Sequence, residues 1–168
     1  IAGTLTANSS AAGAGSGPIS QGNTVSVTGA ASITAGGNTI SLNDAGNDFA
    51  DTVALSNSGA NNVEIRDTND LDFATSGVGS GTLTVIAGGD ISQTGGAITQ
   101  AAGAGVASFT AGAHAITLAD AGNDFTGTVQ LSNTGANNVQ VRDANALDFG
   151  ASGVGSGTLT AIAGGPIT

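Results

Sequence analysis

Residues 33–92 align without a gap to residues 109–168 at an offset of 76, with about two-thirds of the positions identical. DAGNDF stands at 44–49 and again at 120–125. GANNVEIRD at 59–67 returns as GANNVQVRD at 135–143, and SGVGSGTLT at 76–84 returns unchanged at 152–160. A fixed internal period is the signature of repeat architectures, in which one unit buries its apolar face only against its neighbours. The chain therefore reads as one continuous solenoid: a first repeat over 1–80, a second over 81–156, and the start of a third over 157–168.

A shorter spacing lies inside the long one. Asp-Phe recurs at Asp48-Phe49, Asp72-Phe73, Asp124-Phe125 and Asp148-Phe149, and the interval from Phe49 to Phe73 equals that from Phe125 to Phe149. Ile40, Ile65, Ile91, Ile116, Val141 and Ile167 follow one another at nearly constant intervals. A less regular series runs through Leu5, Ile33, Leu55, Leu83, Phe109, Leu131 and Leu159. Short segments such as TLT, SFT and AIT alternate polar and apolar residues with period two, the pattern of a half-buried strand. The spacing predicts an all-β, right-handed parallel β-helix with three strands per coil, about 25 residues per coil and three coils per 76-residue repeat. The three series would then be three internal columns.

Composition agrees with a narrow core and many turns. Of 168 residues 29 are Gly, 39% are hydrophobic, only 3% are aromatic, and none is Cys, Met, Trp or Tyr. Gly-rich pairs punctuate the strands wherever the chain must change direction. Asn47, Asn61, Asn62, Asn123, Asn137 and Asn138 fall at such turns, where Asn tolerates the left-handed backbone region and stacks amide on amide along a column. Charged residues are 8% of the chain; in a parallel stack a repeated charge would face its own copy, whereas Ser, Thr and Asn hydrogen-bond along it. The segment 8–17 is longer than its counterpart near 86–90 and predicts a protruding loop with a contact role.

Several function classes are set aside by the same numbers. A net charge of −10 with two Arg and no Lys leaves no basic surface for nucleic acid or for an anionic membrane. Without Cys there is neither a disulfide framework nor a thiolate metal site. No run of about 18 apolar residues predicts a membrane-spanning helix. The chain opens at Ile1 and stops in mid-motif, which reads as a processed or excised piece.

At these residues the sequence resembles the repeat regions of filamentous-haemagglutinin-type bacterial exoproteins. The resemblance is carried by LTVIAGGDISQTGGAIT (83–99), ITLADAGNDFTGTVQLSNTGANNV (116–139) and VRDANALDFGASGVGSGTLTAIAGGPIT (141–168), with their earlier copies. It covers nearly the whole chain, as repeat style and not as a catalytic signature. It implies a secreted structural shaft of an adhesin, or a self-assembling extracellular fibre, at the surface of a Gram-negative bacterium. Its partners would be neighbouring repeats or identical subunits stacked end to end, with surface glycans or host receptors as ligands. The amino-terminal secretion domain of such proteins is not in this sequence.

Candidate chemistry is sparse. His114, the only histidine, is matched by Asn38 in the first copy and reads as a turn residue. Asp67, Asn69 and Asp70, with Asp44 and Asp48 nearby, are the candidate calcium ligands, since Ca²⁺ takes clustered oxygens. They lack the Gly and Glu of an EF-hand loop, and the second copy replaces Asp70 by Ala146. Paired acids for glycoside hydrolysis are not supported, because the only Glu, Glu64, becomes Gln140. Arg66 and Arg142 are read as ion-paired with Asp67 and Asp143. No enzyme and no cofactor is expected. One surface feature stands apart: Thr4, Thr6, Thr34, Thr82, Thr84, Thr110, Thr158 and Thr160 flank the third apolar series and predict a hydroxyl ladder. Such a ladder suits glycan or ice binding.

Overall fold

The computed structural model describes residues 1–10 and 16–168. Sixteen strands appear among these residues, with no helix. They are β1 (Leu5–Asn8), β2 (Ile19–Ser20), β3 (Ser26–Val27), β4 (Ala31–Gly36), β5 (Ile40–Leu42), β6 (Asp48–Phe49), β7 (Val53–Asn57) and β8 (Val63–Asp67). There follow β9 (Leu71–Val78), β10 (Leu83–Ala87), β11 (Ile91–Gln100), β12 (Ala107–Gly112), β13 (Ile116–Leu118), β14 (Val129–Asn133), β15 (Val139–Asp143) and β16 (Leu159–Ala163). Every strand pairing is parallel, and none joins strands that follow one another directly in the chain, save β15 and β16, whose intervening passages are single bridges. The protein is a β-solenoid of about seven turns; at ~4.8 Å per turn it is ~30 Å long.

The registers fall into three stacks, which the chain visits in a constant order. The first stack runs Leu5, Ala31, Val53, Phe73 and continues through Gly77, Thr99 and Asp124. The second runs Ile19, Ile40, Val63, Leu83, Ala107, Val129, Phe149. The third opens with the pairing of Val27 and Phe49, and its later part runs Leu71, Ile91, Ile116, Val139, Leu159. Not every passage is a separate strand: β9 and β11 turn a corner unbroken and belong to both the third and the first stack.

These registers correct the coil length. Paired residues lie 20 apart at Val63 and Leu83, 22 apart at Ala31 and Val53, and 26 apart at Leu5 and Ala31. Ile40, Ile65, Ile91, Ile116, Val141 and Ile167 are therefore not one column. Ile40 pairs with Val63, Ile65 with Leu42 and Val85, Ile91 with Leu71 and Ile116, Val141 with Leu118 and Ala161, and Ile167 with Leu147. The Phe series divides too: Phe49 pairs with Val27, Phe73 with Val53 and Phe149 with Val129, while Phe125 follows Asp124 in the first stack. An apolar residue recurs at every passage, so series drawn by spacing alone connect residues of different stacks.

Most of these residues nonetheless face inward. Ile40, Ile65, Ile91, Ile116, Val141, Phe49, Phe73 and Phe125 are buried, Phe149 is partly so, and Ile167 at the carboxyl edge is half exposed. Strand burial alternates residue by residue, as in Val63–Asp67 and Val129–Asn133, which is the pleat turning successive side chains to opposite faces.

The long repeat is out of step with the turn. β4 in the first stack corresponds to β12 in the second, β5 in the second to β13 in the third, and β8 in the second to β15 in the third. Ile91 in the third corresponds to Ile167, joined to Leu147. Pairings are copied with the shift: Ala31 with Val53 becomes Ala107 with Val129, and Leu71 with Ile91 becomes Leu147 with Ile167. One long repeat thus spans ten passages over three stacks, or three turns and one third, in place of three whole turns.

Candidate functional site

Corners are where this fold carries polar chemistry, because strand ladders break there and backbone N–H and C=O groups need other partners. Asn47 and Asn123 are fully buried beneath the DAGNDF corners. Asn123 Nδ2 donates to Gln93 Oε1 at 2.7 Å and to the Leu118 carbonyl at 3.3 Å; its Oδ1 accepts Gln93 Nε2 at 2.8 Å and the Ile98 N–H at 2.9 Å. Asn47 repeats the arrangement with Gln21, Leu42 and Val25. Asn61 Nδ2 donates to the Gly37 and Ser58 carbonyls, and Asn137 Nδ2 to those of Ala113 and Thr134. Asn62 Oδ1 and Asn138 Oδ1 accept the Thr82 and Thr158 N–H groups. The Asn residues therefore clamp one turn to another through backbone and Gln. They do not stack amide on amide, and none adopts positive φ, which among the described residues only Gly does.

Asp67 and Asp143 are inward. Each is 2% exposed, with its Oδ2 accepting the N–H of Phe49 or Phe125 and its Oδ1 that of Asn69 or Asn145. Burial pushes the Asp67 carboxyl above the usual range, against the lowering effect of those two N–H groups, while the Asp48 and Asp70 charges add to the rise. Arg66 and Arg142 lie on the opposite side of the same strands, so the expected ion pairs with Asp67 and Asp143 do not form: adjacent residues of a strand face opposite ways. Among the described residues the one close approach of a basic to an acidic side chain is that of His114 Nδ1 to Asp90 Oδ1, 3.7 Å apart on the surface. The His114 carbonyl accepts Asn133 Nδ2, as the Asn38 carbonyl accepts Asn57 Nδ2, which accounts for the interchange of His and Asn at that turn.

One concavity of about 380 Å³ is lined by Asp48, Phe49, Ala50, Asp51, Asn69, Asp70 and Asp72. Its acids have assigned partners. Asp48 Oδ1 accepts Asn69 Nδ2 at 3.4 Å, Asp70 Oδ1 accepts the Asp90 N–H at 2.7 Å, and Asp72 accepts the Ser92 hydroxyl and the Thr94 N–H. In the second copy Asp51 and Asp70 become Gly127 and Ala146. Of the candidate calcium ligands, Asp67 is turned into the core, Asp70 holds a backbone amide, and Asp44 caps Gly46 with Oδ1. Among the described residues no group of three or more His, Cys, Asp or Glu side chains is gathered around one point. The concavity offers negative charge and hydrogen-bond acceptors.

The hydroxyl ladder is divided. Thr6 pairs with Ser32 in the first stack, as do Thr34 with Ser56 and Asn8. Thr84 lies between Glu64 and Ser108 in the second, where Thr110 pairs with Ser132, and Thr160 pairs with Gln140 in the third. The one-stack shift of the repeat sends equivalent Thr residues to different faces, so no single flat row forms. The centre of the segment 8–17, residues 11–15, lies outside the described residues.

The fold and its polar corners define a repetitive β-solenoid scaffold. Residues 1–56, 60–132 and 136–168 match, one after another, the family described as Repeats of unknown function (DUF5649), and the chain belongs to that family. The breaks between matches fall at Gly59 and Gly135, whose φ values of 69° and 73° mark equivalent turns. Comparison with curated proteins and with solved structures gives no match.

Proposed function

We propose that the chain is a non-enzymatic, cofactor-free structural spacer: a stiff segment of a secreted bacterial surface adhesin or extracellular fibre that holds a binding element away from the cell. The observation that supports this reading is that every strand pairing from Leu5 to Ile167 is parallel, around an aliphatic interior. Each turn adds a few ångströms of length and further backbone hydrogen bonds along its strands, which is what a rigid spacer requires. The resemblance to filamentous-haemagglutinin-type repeats points to a Gram-negative cell surface. Among the described residues no helix is long and apolar enough to cross a membrane.

In the fibre form, identical subunits stack end to end. Two measurements test the reading. Antibody against the chain should label intact cells, and electron micrographs of the full-length protein should show straight rods; labelling only after permeabilisation, or compact particles, would sink it. Rods that lengthen with concentration select the fibre, and rods of fixed length the tethered shaft.

A further inference from the structure

The shift of one stack per repeat has a consequence for anything the solenoid carries. We propose that repeat number sets the facing of the solenoid as well as its length: each long repeat advances the structure by three turns and a third and rotates everything beyond it by one third of a circuit. At ~4.8 Å per turn the advance is ~16 Å. Three repeats, ten whole turns, restore the original facing. The inference rests on the registers and is independent of the spacer reading.

The shift is uniform. Ala31, Ile40, Val53, Val63, Leu71 and Leu83 each have their equivalent, one long repeat further along the chain, in the next stack in order, with the pairing partner moved likewise. The hydrogen bonds at the corners move with them. Asp67 to Phe49 becomes Asp143 to Phe125, and Asn57 Oδ1, which accepts the Gly79 N–H, becomes Asn133 Oδ1 accepting that of Gly155. Successive repeats are therefore related by a screw operation that carries these registers and corner hydrogen bonds. Outward residues follow it. Ser56 is exposed in β7 of the first stack, and its equivalent Ser132 is exposed in β14 of the second. Arg66 lies on β8 of the second stack beside Ile86, and Arg142 on β15 of the third beside Ile162.

Two properties follow. A partner that recognises the outward surface of one repeat meets that surface on three sides of the rod, so a flat ligand engages one repeat in three. Gain or loss of a single repeat also re-aims a distal element by a third of a circuit, while gain or loss of three changes its reach alone. Identical residues are kept off one another as well, because equivalent positions in adjacent repeats never share a stack.

The chain has no cysteine, so spin labels are placed cleanly. In a chain lengthened by a second copy of residues 57–132 inserted after Ser132, cysteines replace Ser56, Ser132 and the inserted repeat's equivalent serine, two at a time. Dipolar spectroscopy then gives three separations. The first-to-second and second-to-third separations should be equal, and the first-to-third should be clearly shorter than twice that value, because three points on a spiral are not in line. A first-to-third separation of twice the single step overturns the proposal. If the lengthened chain does not fold by circular dichroism, the native chain decides. Thr34 and Thr99 lie three turns apart in one stack, through Ser56 and Gly77, and their labels should be closer than those on Ser56 and Ser132. Equal separations for the two pairs overturn it.

Discussion

Asp67 accepts the backbone N–H of Phe49 at 2.9 Å from within the core, across the gap between neighbouring stacks. Its second oxygen accepts the Asn69 N–H at 2.8 Å. A carboxylate supplies an acceptor to each donor, whereas an amide supplies one acceptor and sets its NH₂ against the other donor. Asp67→Asn should therefore destabilise the fold by about 1–3 kcal/mol, the cost of an orphaned buried donor, although it removes a buried charge. Chemical denaturation of the variant against the parent measures this. An unchanged midpoint would mean that the hydrogen bonds to Phe49 and Asn69 contribute nothing.

The same carboxylate makes stability depend on pH in an unusual direction for an Asp. Burial raises its folded-state pKa above the ordinary 3.8, so between 3.8 and that raised value the folded protein holds a proton that the unfolded chain has already released. Stability from this group is full below 3.8 and is lost as pH rises through the raised value. Asp44 acts oppositely: the Gly46 N–H and the Thr24 hydroxyl lower its pKa, so its contribution is present above 3.8 and lost on acidification. Denaturation midpoints measured from acid towards neutral pH should show Asp67→Asn closing part of its deficit as pH rises. A deficit constant across that range would dissociate Asp67 from the effect.

Asn123 gives a second polar test. It is fully buried, and its amide joins Gln93, Leu118 and Ile98. Asn123→Ala leaves the Ile98 N–H and the Leu118 carbonyl without this partner and should cost at least about 2 kcal/mol, at roughly 1–3 kcal/mol for each orphaned group. Gln93→Ala should cost less, since Gln93 is only partly buried and water reaches the space it leaves. Thermal melts rank the two, and the reverse order would contradict the assigned network.

How much of this was legible in the sequence differs by level. The parallel solenoid followed from the long-repeat identity and from period-two segments such as Thr82-Leu83-Thr84, because both patterns are local. The turn length did not follow. Ile65 and Ile91 sit at the spacing expected of one coil and are both buried, yet Ile65 pairs with Val85, which comes earlier in the chain than Ile91. Which aliphatic residue lies above which is fixed by the tightness of each corner, and a single chain encodes that in Gly and Asn clusters with no simple spacing. The inward Asp67 and Asp143 were also missed, read as partners of the adjacent Arg. The available signal was parity: in VEIRD, Val63, Ile65 and Asp67 share one side of the strand. Of the acidic concavity, Asp48, Asn69 and Asp70 were seen only as candidate ligands and Asp51 and Asp72 were missed, because its shape depends on the next turn.

Glycine spacing between turns provides a sharper test of the stack. A Cβ on Gly81 would overlap the backbone carbonyl of Asn61 in the preceding turn, whereas one on Gly37 meets nothing within 4 Å. Neither position has positive φ, so the difference is close approach alone. Gly81→Ala should destabilise by about 1–3 kcal/mol through overpacking, and Gly37→Ala should change stability by no more than about 0.5 kcal/mol. Paired denaturation curves decide it. Equal effects would mean that the two turns are not in contact at Gly81.

Phe109 and Phe125 meet edge to face, with ring centroids 5.9 Å apart and planes at 78°. Phe109 is in β12 of the second stack and Phe125 is in the first, two passages further along the chain, so the contact crosses the interior and ties two stacks together. The equivalent residues in the first copy are Ile33 and Phe49, an aliphatic–aromatic pair. A double-mutant cycle with Phe109→Leu and Phe125→Leu should therefore give a coupling of about 0.5–1.5 kcal/mol, the range for favourable aromatic pairs. Each single variant should cost more than that coupling, since both side chains are at most 2% exposed and a mismatched shape adds a cavity term. If the two substitutions are additive, the rings are not in contact and the placement of the first stack against the second at this level is wrong.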